Sequence, residues 1–170
     1  MCGIRCREFL TKLKQKIYAK AVLKTAAGCG EGLKVNFPSF VSRNTFLGNH
    51  VNFNGMKIEG NGKVTIGDWF HSGQGCLMIT SFHNYDAGTA IPYDGTTIDK
   101  DIEIGDCVWL GDRVIVLGGA KIGEGAIVQA GSVVVGEIPS FSIAGGHPAV
   151  PFKTRDVEHY MRLKEQGRFH

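Results

Sequence analysis

Aliphatic residues recur at every sixth position through the second half of the chain. Seven positions share this strict spacing: Ile98, Ile104, Leu110, Val116, Ile122, Val128 and Val134. Ile, Leu and Val make up 37 of the 170 residues, so chance would give seven such matches from one start only about 2–3 times in 100,000. A period of six fits neither an α-helix nor a β-strand. It predicts a chain that turns a corner every six residues, with each aliphatic side chain inside.

Three sides of six residues predict a triangular coil of about 18 residues, stacked on its neighbours at the usual strand spacing of about 4.8 Å. One coil cannot bury its own interior, so several must stack. Glycine often follows the aliphatic residue, which is typical of a tight corner. The position four residues after the aliphatic is small or β-branched, as at Val108, Val114, Ala120, Ala126 and Ser132. The pattern predicts an all-β fold, a parallel β-helix.

The first half of the chain shows the same period more weakly. Its members are Val35, Val41, Leu47 and Phe53, then, after a slip of one residue within 58–62, Ile66, Ser72 and Met78. Met78 and Ile98 are 20 residues apart, which is not a multiple of six. Residues 81–97 are therefore predicted to form an excursion loop that leaves the coils. Loops of this length on rigid scaffolds are often functional.

The two ends of the chain lack the period. We predict an N-terminal helical cap over residues 1–30, the β-helix over 31–153, and a C-terminal helix and tail over 154–170, with Asp156 as a plausible N-cap. The first 27 residues contain seven Lys or Arg against a single Glu. Two interpretations stay open for this segment: a cap over the first coil with solvated lysines, or a basic helix in peripheral contact with a membrane.

Composition narrows the function classes. The 24 glycines are twice the number that average usage near 7% gives, as a chain with many corners requires. A net charge of +3 argues against nucleic acid as a partner. Five cysteines without a C-x-x-C pair indicate reduced thiols. Together with the absence of a signal peptide or a long apolar run, they predict a cytoplasmic protein of one domain.

Two phrases carry a resemblance to a known family. The chain reads IGDCVWLG at 104–111, and AGSVV, IP and GHPAVPFK follow in order between 130 and 153. Together they resemble the hexapeptide-repeat acetyltransferases, and HNYDAGTAIPYDGT at 83–96 is most similar to their surface-polysaccharide group. The resemblance covers roughly residues 35–169. It implies a left-handed β-helix, transfer of acetyl from acetyl-CoA to a sugar hydroxyl, and a homotrimer with active sites between subunits.

A sugar hydroxyl needs a general base poised near neutral pH, and histidine suits that task. The resemblance implies that His83, at the start of the excursion loop, is this base. His71 is the alternative among the six histidines. Asp86, Asp94 or a backbone carbonyl are possible orienting partners for the catalytic imidazole, and the sequence does not choose among them.

The resemblance also implies where acetyl-CoA and the acceptor bind. Trp109, Gly111 and Asp112 would flank the thioester half, Ala130 would bond the pantetheine arm through its backbone, and Lys153 would reach the nucleotide phosphates. A carboxylate at Asp112 would repel phosphates, which counts against its assignment. The acceptor residues implied are Asn52, within VNFN, and Tyr85 of the loop.

The same fold is also compatible with other functions. The first two are acetylation of an amino sugar and acetylation of an antibiotic. A third rival, a zinc enzyme similar to γ-class carbonic anhydrases, needs three converging histidines, and the spaced pair typical of that class is missing, so no metal is expected. The last is a non-catalytic trimeric scaffold.

Overall fold

The computed structural model describes residues 2–170, with side chains from Phe9 onward. The chain starts with the helix α1 (Cys2–Thr25), continues as a solenoid of short strands and ends with the helix α2 (Val157–Glu165). The strands in chain order are β1 (Gly28–Cys29), β2 (Lys34–Phe37), β3 (Thr45–Leu47), β4 (Asn52–Asn54), β5 (Lys57–Glu59), β6 (Val64–Ile66), β7 (His71–Gln74), β8 (Leu77–Ile79), β9 (Ser81–His83), β10 (Thr97–Asp99), β11 (Ile102–Ile104), β12 (Trp109–Leu110), β13 (Ile115–Leu117), β14 (Lys121–Ile122), β15 (Ile127–Val128), β16 (Val133–Val134), β17 (Glu137–Ile138), β18 (Ser142–Gly146) and β19 (Ala149–Thr154).

Three sheets form the sides of the solenoid. Sheet A has the order β1-β3-β6-β11-β14-β17, sheet B the order β2-β4-β7-β12-β15-β18-β19, and sheet C the order β5-β8-β13-β16. Parallel partners in the regular half are 18 residues apart, as in the pairs Ile104 with Ile122 and Val116 with Val134. Three sides of six residues therefore make one coil. The predicted left-handed parallel β-helix is confirmed.

The core confirms the inward direction of the six-residue period, with one exception. The six aliphatics from Ile104 to Val134 are all buried, at most 4% exposed. Ile98 was predicted to join them, and this prediction is wrong, because Ile98 is 41% exposed and pairs with Phe82 in an antiparallel hairpin. The coil resumes only at Ile102 in β11. The match of Ile98 to the period is therefore a coincidence of loop length.

Glycine has two different roles at the corners. From Ile104 to Val128, the residue three after the inward aliphatic has a left-handed backbone, as at Cys107 (φ 54°) and Gly125 (φ 67°). The glycine directly after the aliphatic serves close approach instead, because a Cβ on Gly111 would lie 2.5 Å from the backbone nitrogen of Ala130 in the next coil. The I-G phrase is thus a stacking requirement, and the turn itself comes two residues later.

One helix precedes the solenoid in the chain and another follows it. Val22 of α1 is buried against the first coil, with Tyr18 and Ala19 packed beside it. After the last strand, Asp156 caps α2 by accepting a hydrogen bond from the backbone of His159 at 2.8 Å. Within the described part of the chain, neither helix is long and apolar enough to cross a membrane.

The excursion loop is a hairpin. Strands β9 and β10 pair antiparallel, with His83 opposite Thr97, and the residues between them form an irregular tip. The hairpin leaves the solenoid after β8 of sheet C and returns at β11 of sheet A, so it emerges from the corner that joins those two sheets.

Candidate active site

Several predicted site residues fall in one row on the outer surface of sheet B. Parallel and antiparallel pairing places them side by side across the strands, in the order Asn52, His71, Trp109, Ile127, Ile143 and Lys153. We call this set the sheet B row. Five strand-to-strand steps of about 4.8 Å make it about 24 Å long. The predicted acceptor ligand therefore lies at one end, the predicted phosphate ligand at the other, and Trp109 between them.

The row faces outward because its neighbours in sequence face inward. Phe53, Ser72 and Leu110 each follow a row residue and are fully buried, and successive side chains in a strand point to opposite faces. Trp109 is consequently 51% exposed. An exposed indole on a rigid wall provides a flat apolar surface on which a ligand can lie.

A ladder of side-chain amides holds the Asn52 end of the row. Asn36 donates from Nδ2 to Oδ1 of Asn52 at 3.1 Å and to Oδ1 of Asn54 at 2.8 Å. Gln15 of α1 donates in turn to Asn36 at 2.8 Å. These contacts fix the side chain of Asn52, whose carboxamide oxygen accepts the hydrogen bond from Asn36. Asn36 and Gln15 were missed from the sequence, because no spacing rule relates the first helix to the second strand.

His71 lies in the row beside Trp109. Burial lowers its pKa, and the nearby charges of His170 and Lys34 lower it further. The imidazole is therefore neutral at pH 7 and able to accept a proton. Its Nε2 lies 3.4 Å from Nδ2 of Asn54, a long contact.

The C-terminal tail covers the middle of the row. A groove of about 250 Å³ lies between this wall and α2, and its lining includes His71, Trp109, Arg168 and His170. Phe169 stacks on Trp69 with ring centroids 4.6 Å apart. The sequence did not indicate that this tail returns to the row.

Arg155, the next basic residue after Lys153, contacts the solenoid and α2. Its guanidinium donates to the carbonyl of Gly125 at 3.0 Å and lies 4.7 Å from the ring centroid of Tyr160. These contacts attach α2 to the solenoid. Lys153 on β19 is exposed and remains the basic residue of the row.

Asp112 and Ala130 meet at the corner between sheets B and C. They line a hollow of about 390 Å³ together with Gln74 and Arg113. Oδ1 of Asp112 accepts the backbone N–H of Gln74 at 2.7 Å, so this carboxylate joins two coils. Asp106 does the same for the backbone of Asp68 at 2.8 Å. The aspartate of each I-G-D or L-G-D phrase thus has a structural function at its corner.

His83 lies at the end of β9, exposed, with its ring stacked on Tyr93. The centroids are 3.6 Å apart and the planes differ by 8°. Both rings line a hollow of about 520 Å³ that also contains Tyr85. Of the side chains that the structure describes, none hydrogen-bonds either ring nitrogen of His83.

The two aspartates considered as partners of His83 do not contact it. Asp94 accepts hydrogen bonds from the backbone and hydroxyl groups of both Thr89 and Thr96, between 2.6 and 3.2 Å. The bonds from Thr96 and then those from Thr89 lower the pKa of Asp94 well below its ordinary range. Asp94 therefore closes the hairpin rather than orienting the imidazole, and Asp86 makes no hydrogen bond to His83 among the described residues.

A single chain gathers only part of the predicted site. Asn52, Trp109 and Lys153 share the sheet B row, and Asp112 with Ala130 occupies the adjacent corner. His83 and Tyr85 lie on the hairpin, which leaves the opposite corner between sheets C and A. No group of three or more potential metal ligands occurs among the described residues.

Known proteins share this architecture and these phrases. The family profile described as Bacterial transferase hexapeptide (six repeats) matches residues 101–136. A galactoside acetyltransferase solved in complex with coenzyme A superposes with a TM-score of 0.68 and 28% identity, over 78% of this chain and 68% of that one. The profile match and this superposition both support the hexapeptide-repeat acetyltransferases as the family that the chain resembles.

Two curated members of the family extend the comparison. A putative acetyltransferase of Schizosaccharomyces pombe is 38% identical over 95 residues, which is 56% of this chain and 45% of that protein. A putative lipopolysaccharide biosynthesis O-acetyl transferase of Escherichia coli is 47% identical over 69 residues, 40% of this chain and 35% of that protein. The matches thus span less than half the length of either relative.

Proposed function

We propose that this protein transfers an acetyl group from acetyl-CoA to a hydroxyl of a sugar or of a surface-polysaccharide precursor. The sheet B row carries the proposal, because it aligns an amide, an exposed indole and a free lysine over about 24 Å of rigid wall. The galactoside acetyltransferase with bound coenzyme A and the lipopolysaccharide O-acetyl transferase support the donor and the acceptor class.

In this proposal the donor lies along the row and the adjacent corner. Lys153 meets the nucleotide phosphates as a point charge. Ala130 bonds the pantetheine arm through its backbone, and Gly111 keeps the wall there flat. The thioester lies beside Trp109, with Asp112 near it as part of the corner rather than as a charge partner.

The acceptor hydroxyl attacks the thioester carbonyl carbon while His83 takes its proton. The tetrahedral oxyanion then collapses, the carbon–sulfur bond breaks, and the imidazolium returns the proton to the thiolate of CoA. General-base assistance of this kind is worth about 10²–10⁴-fold in rate. Asn52 and Tyr85 hold the acceptor from the wall and from the hairpin.

The active form is a homotrimer in this proposal. The supporting observation is that, within one chain, His83 lies at the corner between sheets C and A, opposite the sheet B row. A neighbouring copy related by threefold symmetry brings its hairpin to that row. The exposed tip, including Ile91 at 99% exposure, is then covered.

His71 is the alternative base, and its position in the row with a lowered pKa favours it over the four histidines other than His83. CoA release is measured for wild type, His83→Ala and His71→Ala with sugars, nucleotide sugars, amino sugars and antibiotics as acceptors. A blank without acceptor is needed because the protein has five cysteines. We expect acceptor-dependent release by wild type, lost about 100-fold or more in His83→Ala only. Loss in His71→Ala alone would transfer the role to His71.

Mixed assembly tests the shared site. His83→Ala and Trp109→Ala chains, each inactive by itself, are co-expressed at equal levels and purified together. If hairpin and wall come from different copies, about a quarter of the sites combine an intact hairpin with an intact wall. Absence of any recovered activity would place the whole site within one chain and refute the proposed trimeric arrangement.

A further inference from the structure

One face of helix α1 is committed to the solenoid. Gln15 hydrogen-bonds Asn36, Tyr18 and Ala19 pack against the core, and Val22 is only 1% exposed. Positions 15, 18, 19 and 22 follow the spacing of a single helix face. This face holds α1 against β2 and the first coil.

The opposite face carries large apolar side chains with nothing described over them. Phe9, Leu13 and Ile17 are four residues apart and are 67%, 46% and 57% exposed, and Leu10 is 49% exposed. At about 100° per residue these four positions span about 100° of the helix surface, as wide as the apolar stripe that other helices bury. We call them the α1 stripe. Four clustered apolar side chains in water are unfavourable unless something covers them.

The charge around the stripe selects the covering surface. Lysines occur on both sides of it and beyond its end, at Lys12, Lys14, Lys16, Lys20 and Lys24, and no acidic residue occurs from residue 9 to residue 30. The first 27 residues hold seven basic and one acidic residue, whereas the rest of the chain holds twelve basic and fifteen acidic. The positive charge is therefore concentrated on this helix of an otherwise slightly acidic protein.

We propose that α1 lies flat on an anionic lipid surface, with the α1 stripe in the headgroup–acyl boundary and the lysines over the anionic headgroups. An exposed apolar stripe flanked by lysines is the pattern of an interfacial helix. Lysines close to the membrane surface add electrostatic attraction to anionic lipid. If a second copy docked stripe to stripe, the lysines of the two helices would face and repel each other. The contact of α1 with β2 through Gln15 and Val22 then fixes the first coil of the β-helix near the bilayer.

Vesicle sedimentation tests this proposal independently of acetyl transfer. Full-length wild type is centrifuged with vesicles of phosphatidylcholine alone or with about 30 mol% phosphatidylglycerol, at low and high salt. We expect binding to the anionic vesicles that weakens with salt. Phe9→Glu should weaken binding at least about tenfold, and Lys12→Gln and Lys16→Gln about fivefold each.

Phe40→Glu is the matched control, since Phe40 on the first coil is 67% exposed like Phe9 but lies outside α1. It should bind like wild type. Failure of wild type to bind anionic vesicles would overturn the proposal, as would equal losses in Phe9→Glu and Phe40→Glu. If Phe9→Glu instead changes the sedimentation size without any vesicle binding by wild type, a second copy covers the stripe and the proposal is wrong.

Discussion

The sheet B wall and the hairpin each present a candidate histidine, and they hold it by different means. His71 belongs to a strand that is paired on both sides, with Asn52 and with Trp109. His83 belongs to an edge hairpin, opposite Thr97, outside the three sheets of the solenoid. The wall fixes a side chain through the stacking of the whole solenoid, whereas the hairpin does so through a few local contacts.

The local contacts are polar and exposed. Asn84 donates to Oγ1 of Thr96 at 3.2 Å and accepts the backbone N–H of Ala87 at 3.1 Å, and Asp94 bonds Thr89 and Thr96. A wall residue instead depends on buried neighbours such as Leu110, which is fully buried. Damage to the wall should therefore reduce global stability, and damage to the hairpin should reduce activity alone.

The largest effect should come from the wall core. Leu110→Ala removes a fully buried side chain between Ser72 and Val128 in sheet B. We expect a loss of about 2–5 kcal/mol in the free energy of unfolding, measured by urea titration. Val135→Ala, at a valine that is 48% exposed, is the control and should change it by less than about 0.5 kcal/mol. Equal effects of the two changes would contradict the burial seen here.

A smaller effect, on activity alone, should follow from opening the hairpin. Asp94→Ala removes the acceptor of four hydrogen bonds beside Tyr93, so the stacked His83 loses its fixed position, and kcat should fall about tenfold. The thermal midpoint should stay unchanged, because the solenoid core is untouched. Asp86→Ala, on the same loop, is the matched control with near-normal activity. A larger loss in Asp86→Ala would instead make Asp86 the partner of His83.

The pH dependence of this hairpin effect follows from the lowered pKa of Asp94. A carboxyl whose folded pKa is depressed stabilises the folded hairpin above its unfolded pKa and stops doing so only as pH falls through the lower folded value. The relevant window thus lies below the ordinary aspartate range. The ratio of wild-type to Asp94→Ala rates should therefore stay constant between about pH 6 and pH 9, in a rate–pH profile.

The wall was predictable from sequence because its geometry follows from a fixed six-residue side and an 18-residue coil. Once the period of six is known, Trp109 must lie outside and Leu110 inside, and the 18-residue coil sets which residues become neighbours. The same rule failed at Ile98, because an inserted hairpin can have any length and need not keep the six-residue register of the coils. It predicted where the chain leaves the coils but not how the excursion is paired.

The polar contacts of the site were not predictable. Asp94 was considered a partner of His83, yet it bonds two threonines of its own loop, because nearby hydroxyl and backbone donors compete for a carboxylate. The bond between Gln15 and Asn36 and the return of Phe169 to Trp69 depend on tertiary packing of the two helices. Neither has a periodic signal in the chain.

The smallest expected effect is that of the Tyr93 ring stacked on His83, which can be tested separately from Tyr85 in the same hollow. Tyr93→Leu removes a ring that lies 3.6 Å from the imidazole, and such a pair is worth a two- to tenfold effect, about 0.5–1.5 kcal/mol. We expect kcat to fall by that factor with KM for acetyl-CoA unchanged, and Tyr93→Phe, which keeps the ring, to restore it. Tyr85→Leu, in the same hollow, should instead raise KM for the acceptor. If Tyr93→Phe is as impaired as Tyr93→Leu, the hydroxyl rather than the stacked ring positions His83, and the hairpin fixes its histidine by a polar contact alone.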